Sequence, residues 1–194
     1  MRKTLVVMVK EPRPGRVKTR LGRDIGMTAS AWWFRHQVTA LLRRVESPKW
    51  ELVLAVAPDV AGLTSRIWPE HLHRIPQGRG DLGARMARIL RFMPPGPVCI
   101  IGADIPGITS EKIEQAFAAL GAHDAVFGPA DDGGYWLIGM KRSGGVPNDA
   151  LTGVRWSTDH ALQDSAHSLG TMRIAHVATL RDVDTLSDLK ALSR

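Results

Sequence analysis

The sequence predicts an α/β protein, a three-layer α/β/α sandwich around a mostly parallel sheet. Apolar strand-like runs alternate with amphipathic helix-like segments, the order that builds βαβ units. The first strand-like run is apolar throughout rather than alternating, as a strand covered on both faces is. The charged and glycine-rich segments fall just after the strands, where ligands bind in such sheets.

Residues 4–9 (Thr-Leu-Val-Val-Met-Val) read as a central strand. The stretch from Lys10 to Leu21 holds Pro12, Pro14 and Gly15, which argue for a loop and against a helix. Thr28 to Arg44 reads as a helix, with Ala31, Val38, Leu41, Leu42 and Val45 recurring on one side and Thr28 as N-cap. Glu51 to Ala57 is a second strand, stopped by Pro58. Asp81 to Phe92 is helical through Leu82, Met86, Ile89 and Leu90, with Asp81 a good N-cap. Val98 to Ile101 is a third strand, and Thr109 or Ser110 caps a helix that runs to Leu120. Ala125 to Phe127 and Tyr135 to Met140 read as strands, and residues 141–153 as a mobile surface loop. Ser157 is expected to start a helix closing near Gly170, followed by a strand over Met172 to Val177 and a short helix over Thr185 to Leu192. No repeat or linker interrupts this order, so one domain is expected over residues 1–194.

Hydrophobic residues make up 44% of the chain and charged residues 23%, a balance that excludes disorder by composition. The single cysteine, Cys99, lies in an apolar strand and rules out a disulfide within the chain, as suits a reducing cytoplasm. The apolar run after Arg2 and Lys3 is too short to cross a bilayer and lacks a cleavage pattern, so no membrane association is expected. The net charge of +7 points to nucleic acid, an anionic surface or small phosphorylated substrates. The last is favoured, because the cations are spread along the chain except at one loop. The aromatic run Trp32-Trp33-Phe34 lies in a helical segment and reads as packing, not as a base-stacking surface.

That one loop carries the clearest chemistry. Between Lys10 and Arg20 stand five cations and one anion. In a turn-rich loop at a strand end, Gly15 lets the backbone approach a phosphate while Arg16, Lys18 and Arg20 neutralise it. The spacing is not that of the ATPase P-loop. Gln77-Gly78-Arg79-Gly80-Asp81-Leu82-Gly83 opens a helix, and the Gln77 amide offers donor and acceptor to a nucleobase edge. Asp104, at a strand end before Ile105-Pro106, suits a hard divalent cation, which takes one or two carboxylates plus substrate phosphates. Asp131-Asp132-Gly133-Gly134-Tyr135-Trp136 joins acids for hydroxyls or metal to aromatics that stack on a sugar or base, with a tight hairpin as the plain alternative. Adjacent acids rarely flank one glycosidic bond, so glycoside hydrolysis is set aside. Asp184, or Asp182 beside it, is a candidate second metal carboxylate. His71, His73, His160 and His167 lack metal-ligand spacing, and no Ser-His-Asp set is present.

In this order, these segments resemble a family of small uncharacterised proteins with the GT-A fold, the DUF2064 type of the nucleotide-diphospho-sugar transferase superfamily. The resemblance rests on residues 10–21, 77–86, 102–106 and 128–139, on Trp156-Ser157-Thr158, and on Asp182-Val183-Asp184-Thr185 with Asp188-Leu189. The family is similar to the molybdopterin and phospholactate nucleotidyltransferases, which share a basic loop after the first strand and a metal Asp after a central one. By that resemblance Asp104 matches the metal Asp, and Asp184 the late carboxylate of sugar-activating cytidylyltransferases. The chain departs from its relatives in lacking Gly-x-Gly in the first loop and in carrying Ala103-Asp104-Ile105 where many glycosyltransferases carry Asp-x-Asp.

The expected activity is a metal-dependent nucleotidyl transfer, from a nucleoside triphosphate to a small phosphorylated acceptor with release of pyrophosphate. Arg16, Lys18, Arg20 and Asp104 are the expected catalytic residues, with Mg²⁺ or Mn²⁺ on Asp104 and Asp184. Lys10, Gly15, Gln77, Gly80, Asp81 and Gly83 are expected to bind the nucleotide. Asp131, Asp132, Gly133, Gly134, Tyr135 and Trp156 are expected on the acceptor side. A glycosyltransferase using a nucleotide sugar, and a nucleotide-binding protein without turnover, are the alternatives.

Overall fold

A computed structural model describes residues 1–183 and 185–191. In chain order the elements are β1 (Thr4–Lys10), α1 (Thr19–Ile25), α2 (Met27–Val45), β2 (Glu51–Ala57), α3 (Asp59–Thr64), β3 (His73–Pro76) and α4 (Leu82–Phe92). There follow β4 (Val98–Gly102), α5 (Ser110–Ala119), β5 (Ala125–Pro129), β6 (Tyr135–Met140), α6 (Ala161–Ser168), β7 (Ile174–His176) and α7 (Leu186–Ala191). The strands form one seven-stranded sheet in the order β3-β2-β1-β4-β6-β5-β7. Only β6 runs against the rest, pairing antiparallel with β4 and β5.

The pleat explains the layers. Side chains alternate between faces along a strand. Leu5, Val7 and Val9 of β1, Leu52, Leu54 and Val56 of β2, and Cys99 and Ile101 of β4 enter one core with α2 and α5. Val6, Val53, Ala55, Val98 and Ile100 enter the other, against Met86, Ile89 and Leu90 of α4. Both faces are covered, which is why these strands read as unbroken apolar runs. Burial pushes the Cys99 thiol far up, so it stays a neutral packing group. Among the described residues no helix is long and apolar enough to cross a membrane.

β1 sits between β2, its successor among the strands, and β4 on the other side. Connections therefore leave β1 and β4 toward opposite flanks, and a crevice opens between their carboxyl ends. The loops after β1, β3 and β4 and the β5–β6 turn all rise from that edge.

Several expectations need correction. The loop after β1 turns helical at Thr19, once its prolines and Gly15 are past. Thr28 lies inside α2; Gly26 stands at the N-cap, and no side chain caps that end. Ser157 does not start a helix; it sits in a turn at φ 61°, and α6 begins at Ala161. The last helix begins at Leu186. The aromatic run is divided: Phe34 is buried, Trp33 packs against the same core, and Trp32 is 55% exposed. Asp81 caps α4 by accepting the Ala84 N–H at 2.8 Å, and Thr109 caps α5, both as the sequence indicates.

Gly83 shows how tightly α4 docks. A Cβ there would lie 2.3 Å from the Leu151 carbonyl oxygen and 2.8 Å from Cζ2 of Trp156. The Gly83→Ala variant is expected to lose about 1–3 kcal/mol of stability, as overpacked sites do. Urea denaturation followed by tryptophan fluorescence reads both that loss and the displacement of Trp156.

Candidate active site

The loop after β1 is built before it binds anything. The Glu11 N–H donates to the Ala57 carbonyl at 2.8 Å, and the Arg16 N–H to the Arg13 carbonyl at 3.0 Å. Arg13 is committed to Glu11 through a 2.7 Å ion pair. Gly15 turns the chain at φ +74° with nothing within 4 Å of a Cβ position, and it stands outside the cleft. That left-handed backbone is what the turn asks of a glycine. Lys18 follows in the left-handed region at φ 43°, and its carbonyl accepts the Gly22 N–H at 2.8 Å. This backbone carries the Lys18 side chain inward, where it is only 5% exposed and its Nζ lies 3.0 Å from Oδ2 of Asp104. Asp104 extends from the end of β4, 42% exposed, between buried Ala103 and Ile105.

Around this pair opens a cleft of about 750 Å³. Lys10, Arg16, Lys18 and Arg20 line it on one side, with Gln77, Asp104, Asp132, Gly134, Tyr135, Trp156 and Asp182. Residues far apart in sequence thus share one cavity. Gly80, Asp81, Gly83, Asp131 and Gly133 stand outside that lining. Gly80 adopts φ +105° and Asp81 caps α4, while Gly83 and Gly133 are packing sites; a Cβ on Gly133 would lie 2.3 Å from the Asp159 carbonyl oxygen. Asp184 lies outside the described residues.

Two expected recognition roles change. Gln77 is 3% exposed, and its amide nitrogen donates to the Val9 carbonyl at 3.0 Å and the Ala55 carbonyl at 2.8 Å. Both donors tie β1 to β2, so only the side-chain oxygen is left for a ligand. The aromatics after the β5–β6 turn are not stacking plates. Trp136 is 1% exposed and donates its Nε1 to the Ala178 carbonyl at 2.9 Å. Tyr135 meets Phe127 edge-on at 4.9 Å, accepts a 3.1 Å hydrogen bond from Ser165, and is held neutral by burial. The turn is the tight hairpin form, with the Ala130 N–H donating to the Gly134 carbonyl at 2.9 Å and the Gly134 N–H to Oδ1 of Asp132 at 2.9 Å.

The far wall holds residues that lie in the quoted motifs but have no expected role in the site. Leu82, Arg85 and Met86 face the cleft from α4, and Ser157 and Thr158 from the strap beside Trp156. The helical spacing from Leu82 to Arg85 and Met86 was the available signal. The strap is fixed by Asp164, which accepts from Nε of Arg155 at 2.8 Å, from Nη2 at 2.9 Å and from its backbone N–H at 3.1 Å. The Trp156 indole Nε1 is buried with no hydrogen-bond partner among the described residues.

The cleft carboxylates are of the right kind for a hard cation, which needs only one or two of them beside substrate phosphates. Asp104, Asp132 and Asp182 provide oxygens. Among the described residues no three His, Cys, Asp or Glu side chains group to hold an ion alone.

A seven-stranded sheet with one reversed strand and a cation-lined cleft at its carboxyl edge defines the fold class of the nucleotide-diphospho-sugar transferases. The chain belongs to the family described as uncharacterized proteins conserved in bacteria (DUF2064), whose profile matches residues 40–158. A crystal structure from Desulfovibrio desulfuricans G20, provisionally described as a nucleotide-diphospho-sugar transferase, is 30% identical, with a TM-score of 0.86 over 100% of this chain and 87% of that one. The Rv0371c protein of Mycobacterium tuberculosis H37Rv, crystallised in complex with manganese, is 17% identical, with a TM-score of 0.59 over 99% of this chain and 98% of that one. The 4-diphosphocytidyl-2C-methyl-D-erythritol synthase of Anaerococcus prevotii DSM 20548 is 11% identical, with a TM-score of 0.61 over 100% of this chain and 99% of that one. At these lower identities the likeness is one of fold. No curated protein matches the chain.

The Arg155–Asp164 contact has a pH signature. Hydrogen bonds from Arg155 hold the Asp164 carboxyl well below the usual carboxylate range. A depressed folded-state pKa gives stability that is present above the unfolded value, about 3.9, and fades as pH falls through the folded one. Asp164→Asn is expected to lower stability at pH 7 and to flatten the acid limb below about pH 4. Urea midpoints collected from pH 2 to 7 check both.

Proposed function

We propose that the protein is a nucleotidyltransferase that joins a nucleoside triphosphate to a small phosphorylated acceptor and releases pyrophosphate. The observation that carries this reading is the convergence of Lys10, Arg16, Lys18 and Arg20 with Asp104 on one cleft. A cation group of this size matches a triphosphate better than the diphosphate of a nucleotide sugar.

In this reading an acceptor phosphate oxygen attacks the α-phosphorus, and the bond from that phosphorus to the bridging oxygen of pyrophosphate breaks. Such a transfer needs alignment and charge neutralisation rather than a protein nucleophile. Arg16 and Arg20, exposed at the cleft rim, grip the β- and γ-phosphates and stabilise the charge that leaves with them. Lys18 reaches the phosphates from inside, as a point charge beside Asp104. The Gln77 oxygen accepts an N–H of the base, its amide orientation fixed by the Val9 and Ala55 carbonyls. Asp132, Gly134 and Tyr135 shape the acceptor side. Asp104, with a second carboxylate from the 182–184 segment, holds Mg²⁺ or Mn²⁺, which supplies charge neutralisation at the phosphates when bound.

Two variants test the assignment. Asp104→Asn keeps the size and removes the charge; it is expected to abolish the Mg²⁺ dependence of nucleotide binding and to slow turnover about a hundredfold. Arg16→Ala with Lys18→Ala is expected to weaken triphosphate binding far more than nucleoside binding, read by calorimetry. Incubation with the four triphosphates and candidate phosphorylated acceptors is expected to release pyrophosphate. Release of a nucleoside diphosphate from a nucleotide sugar instead makes the protein a glycosyltransferase. Binding with neither product overturns the catalytic reading.

A further inference from the structure

The arginines of α4 divide into two kinds. Arg88 commits Nη1 to the Gln77 carbonyl at 3.0 Å and Nη2 to the Arg79 carbonyl at 2.9 Å. Arg91 commits Nη2 to the carbonyls of Pro147 and Asn148 at 2.7 and 2.9 Å. These two are staples. Arg85 is anchored only through Nε, which donates to the Gly80 carbonyl at 2.9 Å, and neither Nη meets an acceptor among the described residues. Its side chain is half-buried and lines the cleft. A guanidinium fixed at Nε with both Nη groups open is a fork set for two oxygens of one oxyanion.

Its position sets it apart from the loop after β1. Val17 of that loop is buried in the core shared with α2 and α5, on one side of the sheet. Met86, next to Arg85, is buried in the core on the other side, against which Tyr135 and Trp156 also pack. The cleft thus has cations on two walls rooted in opposite layers.

We infer that Arg85 is the receptor for an oxyanion on the second substrate, the acceptor, in a subsite separate from the one that holds the nucleotide phosphates. The inference rests on the nucleotidyl-transfer reading and adds to it the residue that selects an anionic acceptor. Arg85 supplies the paired donors. The open face toward Trp156 and Thr158 leaves room for the body of the molecule. Phosphate and carboxylate share the required pair of oxygens.

The experiment uses the full chain with tripolyphosphate and Mg²⁺ to fill the loop after β1, followed by titration with inorganic phosphate or acetate in a calorimeter. Wild type is expected to bind one further phosphate or acetate. Arg85→Gln is expected to weaken that step about ten- to a hundredfold, as loss of a charge-assisted pair does, while tripolyphosphate affinity stays within about twofold. Arg16→Ala with Lys18→Ala should show the reverse pattern. Arg85→Lys keeps the charge without the fork and is expected to fall between, with a thermal midpoint near wild type, so loss of binding there is not loss of fold. Preference for phosphate or for acetate names the anion the acceptor carries. An unchanged phosphate and acetate affinity in Arg85→Gln overturns the assignment. So does an equal loss of tripolyphosphate, which would make Arg85 part of the nucleotide site. If wild type fails to bind tripolyphosphate yet keeps an Arg85-dependent phosphate site, the nucleotidyl-transfer reading fails and the subsite stands.

Discussion

The contact between Lys18 and Asp104 joins the two loops on which the cleft depends. β1 and β4 are neighbours in the sheet, yet their connections leave in opposite directions. Nothing in the ladder itself holds those loops together above the sheet. A lysine in the left-handed region costs about 1 kcal/mol relative to ordinary backbone. The charge-assisted bond at 3.0 Å offsets a cost of that order. The side chain is almost wholly enclosed while Asp104 stays partly wet, so the pair is neither a loose surface bridge nor a fully desolvated one.

From that pivot, the division of the molecule follows from the pleat. Alternate residues of β1 feed two separate cores, and the elements packed on each core bring their own side chains to the common edge. The loop after β1 arrives with one layer and the first turns of α4 with the other. A cleft at such an edge can grip two reactants from two sides without a second domain. Gln77 strengthens the same edge, because its amide bridges the carbonyls of β1 and β2 where the ladder ends.

The central strands and the long helices were readable because their signals are strong: apolar runs for β1, β2 and β4, a cap plus a stripe for α4, and a cap for α5. The pieces that escaped are short. α1, α3 and β3 are 7, 6 and 4 residues long, too brief for a period to emerge. Residue type singled out cations and an Asp104 that do line one cleft, since five cations in one loop have few structural uses. Residue type does not distinguish positions where backbone geometry decides. Gly15, Gly80 and Gly83 look alike in sequence, yet one makes a turn, one an unusual φ and one a close contact. The Gln77 amide offers donor and acceptor alike until the two carbonyls that take its N–H groups are known, which leave only its oxygen for a ligand. Ser157 looks like a cap, and its left-handed φ is visible only in the folded chain.

The excess positive charge has the same double character. Read from composition alone, +7 describes a polyanion binder. In the fold, much of it is internal fastening. Arg74 donates to four carbonyls, those of Leu63, Ser65, Trp68 and Pro69. Arg142 donates to Met93 and Pro94, and burial lowers its affinity for the proton. Arg88 and Arg91 bind loop carbonyls in the same way. A guanidinium does this well, because its several donors satisfy irregular backbone that no ladder reaches. The charges that line the cleft are a separate population. A count of arginines therefore says little about ligand affinity here, while the direction of each guanidinium identifies the staples.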